Sequence, residues 1–458
     1  MVPLRQSLGA LALLAGALPA GAQSGPAIRD TVLANGLQVV VVENRAVPLA
    51  SVAVVVRNGA FTQRDDGQGV AHLFEHMLFE AYRGVQDRPF WAEASLLEAS
   101  YNGFTASETV AYYLTLPSRR TEKGLALLAR LMRPNAFVKA TLDKERQVVL
   151  DELKRRVAEP DNLLGLAVEQ RLWGAGFPRK NIGGITPDLM MATPKRLTEL
   201  YRRYYVPNNA ALVVTGDVSA ARVFAVAAEE FGKWKAGADP FDGNPSIAPP
   251  ALDRPMGVVI PHAAARDITV LVSTQGPSAV SERAESFALQ LLASVVNDEA
   301  SRLQERLVDG GLFDWVSLSY EPLAMGGELS VRGRTSSDRL PRALPALKEE
   351  LAALTTAGYV SPAELQAAKN RFAVSRALQA ERITSLGLAL ARQWSVAGLE
   401  YYRDTPSAVQ GVEAEMLRRV ATEYLVARPR VIGILTPESN AEQDGARHEQ
   451  LLAQFLTT

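Results

Sequence analysis

Two stretches of this chain, 220 residues apart, carry one pattern. Tyr204-Tyr205-Val206-Pro207 followed by Ala211-Leu212-Val213-Val214-Thr215-Gly216-Asp217 is echoed by Tyr424-Leu425-Val426-Ala427 followed by Val431-Ile432-Gly433-Ile434-Leu435-Thr436-Pro437 (424 − 204 = 220). Repetition at that distance means two copies of one unit. The length agrees, because 458 residues exceed the roughly 250–300 at which a single core stops growing. Strands followed by long helices in each copy predict an α+β fold of two homologous domains, each a mostly antiparallel sheet with helices packed on one face. The predicted division is 1–22 leader, 27–237 first domain, 238–255 linker and 256–458 a degenerate second copy. The linker is read from GADPFDGNPSIAPPALDRP, rich in Pro, Gly and Asp and without periodicity.

Local patterns fill in the first copy. An Asn35-Gly36 turn leads into Gln38-Val39-Val40-Val41-Val42, a hairpin and then a strand. Residues 51–57 and 211–215 are further β-branched runs. Helical spacing predicts helices over 69–81, 122–132, 142–157 and 197–205. Pro134 and Pro160 mark helix ends. At the 220-residue offset the 72–76 helix falls on Leu292 to Asp298, where no histidine stands. One half is therefore equipped to hold a metal and the other is not.

Composition narrows the chemistry. A net charge of −1 argues against nucleic acid or an anionic membrane as the main partner. Arg5, the apolar Leu8–Leu18 stretch and Ala20-Gly21-Ala22 read as a signal peptide. The apolar run is shorter than the roughly 20 residues that span a bilayer, so export to a periplasm or beyond is expected, without a stable membrane span. With no cysteine there is neither a disulfide framework nor a thiolate metal site. A transition-metal site must then use His, Asp and Glu. Of the four histidines, His262 and His448 stand alone, whereas His72 and His76 are four residues apart.

On a helix, residues i and i+4 share a face about 6 Å apart. His72 and His76 can therefore converge on one ion, and Glu75 lies beside them, able to reach a water on that ion without being a ligand. The order His-x-x-Glu-His inverts the familiar His-Glu-x-x-His zinc helix. Catalytic zinc takes three protein ligands and keeps one open position. Lys144-Glu145-Arg146-Gln147-Val148-Val149-Leu150-Asp151-Glu152 supplies carboxylates for the third. Glu145 and Glu152 are two turns apart on one face, so either can be the ligand and the other a supporting group.

These residues resemble the pitrilysin/insulinase-like zinc metallopeptidases, the inverzincins that include mitochondrial processing peptidase. GQGVAHLFEHMLF is similar to the family's metal helix and KERQVVLDEL to its second metal segment. The resemblance implies a zinc endopeptidase, with His72, His76 and Glu152 as ligands, Glu75 as catalytic base and Glu145 as an auxiliary glutamate. Asn102-Gly103-Phe104-Thr105 resembles the family's Asn-Ala-x-Thr strand, which implies substrate-binding roles for Asn102 and Thr105. It also implies two such chains closing as a clamshell on a short or unfolded peptide. The family's Arg and Tyr are missing from the matching block of the second half, where Leu307 and Asp314 stand. The chain is thus expected to be the zinc subunit of a heterodimer whose partner supplies Arg and Tyr. A homodimer, and a non-catalytic scaffold or processing subunit of the same fold, are the alternatives.

Overall fold

The computed structural model describes residues 27–134, 136–242 and 250–456. The predicted signal peptide lies outside the described residues, as does part of the predicted linker. Among the described residues no helix is long and apolar enough to cross a membrane.

Among the described residues, eleven strands form two sheets. The first contains β1 (Ile28–Val32), β2 (Gln38–Glu43), β3 (Leu49–Val56), β4 (Ser100–Thr105), β5 (Val110–Pro117) and β6 (Ala210–Gly216) in the order β1-β2-β6-β3-β5-β4. The second contains β7 (Met256–His262), β8 (Ile268–Gln275), β9 (Trp315–Glu321), β10 (Glu328–Thr335) and β11 (Arg430–Pro437) in the order β7-β11-β8-β10-β9. Without β1, the first order is the second order strand for strand. The equivalent strands β6 and β11 begin 430 − 210 = 220 residues apart. Each sheet has one parallel pair, β2 with β6 and β7 with β11, and is otherwise antiparallel. Pairing of Val32 with Gln38 closes the expected β1–β2 hairpin around Asn35-Gly36.

The constant offset fails at the helix after the third strand. In the first half that helix is Val70–Ala81; in the second it is Arg283–Val296. Their starts differ by 283 − 70 = 213 residues, so Leu292 to Asp298 overhangs the second helix's end. A shorter loop before the second helix accounts for the slip. Pro160 both ends one helix and starts another. It occupies the first turn of Pro160–Trp173, where a missing N–H costs nothing.

Helices do not cover only one face of each sheet. The first sheet's inner face packs Val39, Val41, Val52 and Val54 against its own half's helices, including Leu73, Phe74 and Met77. Its other face, with Val40, Val42, Val55 and Val213, is covered by Leu386, Leu390 and Trp394 of helix Ile383–Ala397, contributed by the second half. The exchange is reciprocal. Leu164, Val168 and Leu172 of helix Pro160–Trp173 pack on Leu271, Val431 and Leu435 of the second sheet. Gly433 permits that approach, because a Cβ there would stand 2.6 Å from both Leu164 and Val168. Polar contacts follow the same exchange: Trp394 donates to Gln38 (2.7 Å), Thr215 to the carbonyl of Ile383 (2.7 Å), and Arg403 to Asp30 (2.6 Å). The valines that read as simple strand formers are buried on both faces of their sheet because each half lends the other a helix.

Candidate metal centre

The histidine helix Val70–Ala81 buries Leu73, Phe74, Met77 and Leu78 and leaves His72 and His76 on its partly open side. Its first residue follows Gly69, which has no side chain to cap the free N–H groups. Gln63 does so from outside the helix, accepting from the backbone N–H of Gly69 (2.8 Å) and of Ala71 (3.4 Å). The amide of Gln63 donates in turn to the carbonyls of Pro178 and Asn181. Asn181 donates to Gln68 and to the carbonyl of Gly184. Gly69 and Gly184 both have positive φ and lie back to back, so that a Cβ on Gly184 would be 2.5 Å from the Cα of Gly69. Loop 181–184 is thereby clamped to the start of the histidine helix. Gln63, Gln68, Asn181 and this glycine pair were not singled out by sequence reasoning.

The second helix, Lys139–Ala158, is fixed by Arg146, which donates to the carbonyls of Leu189 (3.0 Å) and Ala192 (2.8 Å) and pairs with Asp143. Its packing across the histidine helix brings Glu152 to the two imidazoles. Glu152 Oε2 lies 3.6 Å from His72 Nε2 and 3.7 Å from His76 Nε2. The three ligand atoms of His72, His76 and Glu152 all lie within 4.8 Å of one another. A tetrahedral zinc with bonds of about 2.0–2.1 Å needs donors roughly 3.3 Å apart, so modest side-chain adjustment suffices. The donor set, two imidazoles and one carboxylate, also suits zinc. Glu145, two turns back, meets the opposite nitrogen of His76, Nδ1, at 3.3 Å. This is where a group that orients a metal-bound imidazole belongs. His72 Nδ1 is buried and has no hydrogen-bond partner among the described residues. Burial, with His76 and then Arg156 adding to it, pushes the His72 imidazole down to about 4. The ring is therefore neutral at neutral pH, with one of its two nitrogens unprotonated and available to a metal.

Glu75 is buried on the same helix, and Thr105 on the edge strand β4 donates to its Oε2 at 2.7 Å. Burial drives the Glu75 carboxyl above its usual range, opposed by the Thr105 hydrogen bond and by His76. Strand β4 can come this close because residue 103 is glycine: a Cβ there would be 2.7 Å from Glu75 Oε1. Thr105 is thus engaged with Glu75, and Asn102, exposed on the edge, accepts from the N–H of Gly103. A cavity of about 400 Å³ opens over these groups, with Phe104, Leu153, Arg156 and Gly183 among its walls. The second half sends neither Arg306 nor Trp315 into it. Arg306 is paired with Glu349 and Glu350, Leu307 is core, and Asp314 is paired with Arg339.

The fold and this site define a two-repeat α+β protein with the inverted metallopeptidase motif on its first repeat only. Two models of one family match it: "Insulinase (Peptidase family M16)" over residues 38–180 and "Peptidase M16 inactive domain" over 192–372. The chain belongs to peptidase family M16. Among curated relatives, the uncharacterized zinc protease YmxG of Bacillus subtilis is 24% identical over 77% of this chain and 84% of its own length. The mitochondrial-processing peptidase β subunit of Blastocladiella emersonii is 26% identical over 46% of each chain, and the probable zinc protease PqqL of Haemophilus influenzae is 25% identical over 43% of this chain and 22% of its own. These last two matches thus span less than half of the relatives concerned. In fold, a protease from Helicobacter pylori superposes with a TM-score of 0.80 over 90% of this chain and 100% of that one, at 22% identity. The periplasmic protease PqqL from Escherichia coli gives 0.75 over 94% of this chain and 50% of that one, at 19% identity.

Proposed function

We propose that the chain is a zinc-dependent endopeptidase for short or unfolded peptides. The observation that carries this reading is the convergence of both Nε2 atoms and the Glu152 carboxylate beside a buried, hydrogen-bonded Glu75. His72, His76 and Glu152 would hold the ion, with Glu145 orienting His76. A zinc ion held there supplies a Lewis acid and a water acidic enough to be deprotonated near neutral pH. Glu75 takes the proton of the attacking water and returns it to the leaving amine. Its raised proton affinity suits both transfers, and Thr105 fixes the carboxylate's direction. Strand β4 is one of the two edge strands of the first sheet and the one beside the metal ligands, so an extended peptide adds there as a further strand, with Asn102 at its border. Water is limited by the walls that Phe104 and loop 181–184 supply.

Arg306 of the second half is held by Glu349 and Glu350, and neither it nor Trp315 lines the cavity; this supports a second chain that closes over the cavity and supplies the Arg and Tyr. This makes the chain the metal-bearing subunit of a clamshell dimer. A periplasmic or secreted setting follows from the Leu8–Leu18 run and Ala20-Gly21-Ala22. The test is metal analysis joined to hydrolysis of a quenched unstructured peptide, for the chain alone and with any copurifying homologue. Glu75→Gln is expected to keep one zinc per chain and lose hydrolysis by a factor of about 10² or more. His72→Ala is expected to lose both. Retained hydrolysis in Glu75→Gln removes Glu75 as base, and a chain that binds no zinc is the inert scaffold of the same fold.

A further inference from the structure

Arg156 stands one turn beyond Glu152 on the same helix, so both side chains project to one face. It shares the cavity wall with His72, Glu75 and Thr105. Elsewhere along this helix Arg146 is engaged with two carbonyls and Asp143, and Lys154 with Asp151, while Arg155 is exposed to solvent. Arg156 is half-buried, and among the described residues its guanidinium has neither a hydrogen bond nor an ion pair within 4.0 Å.

The guanidinium also has a prepared seat. A Cβ on Gly183 would lie 3.0 Å from Arg156 Nη1 and 3.6 Å from Leu153. Glycine at 183 leaves the side chain that room, and a Cβ there would crowd the guanidinium. The wall is rigid, because Asn181, Gln63 and Gln68 pin loop 181–184 to the histidine helix. A planar cation with several N–H donors not used within the protein, half-buried beside Gly183 on the wall of the cleft, is suited to receive a carboxylate.

We propose that Arg156 binds a carboxylate of the peptide substrate beside the metal centre, either an acidic side chain near the cut bond or the free C-terminus. This inference rests on the peptidase reading above and adds a specificity to it.

The test uses the zinc-loaded full chain together with any copurifying homologue and four kinds of quenched peptide: neutral with an amidated C-terminus, the same peptide with one Glu moved through the positions flanking the cut, the same series with Lys in place of Glu, and neutral with a free C-terminus near the cut. The kcat/KM ratio of carboxylate-bearing to neutral peptide is compared for wild type, Arg156→Ala and Arg156→Glu. Affinities of the same peptides for zinc-loaded Glu75→Gln protein are read separately by fluorescence anisotropy. We expect a preference of about tenfold or more for one carboxylate source, the size of a single charge-assisted contact. It should disappear in Arg156→Ala and turn toward a Lys-bearing peptide in Arg156→Glu. The Glu series and the free-terminus peptide tell the two sources apart. Absence of any carboxylate preference in wild type, or a ratio unmoved by Arg156→Ala, overturns the proposal. Arg156-dependent carboxylate binding to a protein that cuts nothing keeps this proposal and sinks the peptidase reading instead.

Discussion

Removing the second half should unfold the first. Residues 27–237 contain every strand of the first sheet and all the candidate metal ligands, and would pass on sequence grounds for a free-standing domain. In the structure, Val40, Val42, Val55 and Val213 are at most 1% exposed, and their cover is the helix Ile383–Ala397. Burying a valine side chain stabilises by roughly 1.5–3 kcal/mol, so uncovering four costs about 6–12 kcal/mol. A folded domain has a net stability of only about 5–15 kcal/mol. The fragment also leaves Leu164, Val168 and Leu172 without their sheet. A purified 27–237 fragment should therefore bind a hydrophobic dye, show no cooperative thermal transition by circular dichroism and elute as aggregate. Coexpression with 250–456 should restore a soluble complex through the exchanged helices. A monomeric fragment that melts cooperatively within about 5 °C of the full chain would show that the exchanged helix is dispensable, and the packing argument would be wrong.

Two further outcomes can be checked. Glu145→Gln weakens the hold on His76 Nδ1, and zinc affinity by competition with a chelator should fall about 10–100-fold without change in the melting curve of the metal-free protein; an unaltered affinity would leave Glu145 with no role at the metal. Burial, then Glu328 and Glu321, push the Glu169 carboxyl up to about 8, against the usual 4.5. Because the folded state holds this proton more tightly than the unfolded chain, stability is lost as pH rises from about 4.5 to about 8 and does not change further above that. Glu169→Gln should flatten that part of the Tm-versus-pH curve, and a curve identical to wild type would remove Glu169 as its source.

Much of the site was legible in the sequence because helical geometry is local. His72 and His76 must share a face wherever their helix lies, and Glu75 must stand next to them. Strand patterns gave β2, β3 and β6 for the same reason. The glycines were not legible. Gly103, Gly183 and Gly184 look like ordinary loop or strand residues until another backbone or side chain is seen pressed against them. Gln63 caps a helix whose first residue is seven positions further on, a partnership that no short-range signal announces.

By itself, the sequence determined that two imidazoles and a carboxylate sit on one helix of the first repeat and that the second repeat has no such set, since these follow from residue identity and a period of 3.6. Which glutamate faces which nitrogen was a tertiary decision. Glu145 and Glu152 lie on one helical face, and only the crossing of that helix over the histidine helix puts Glu152 near both Nε2 atoms and Glu145 at Nδ1. The exchange of helices between halves was decided at the same level, because a run of valines records that it is buried but not what buries it.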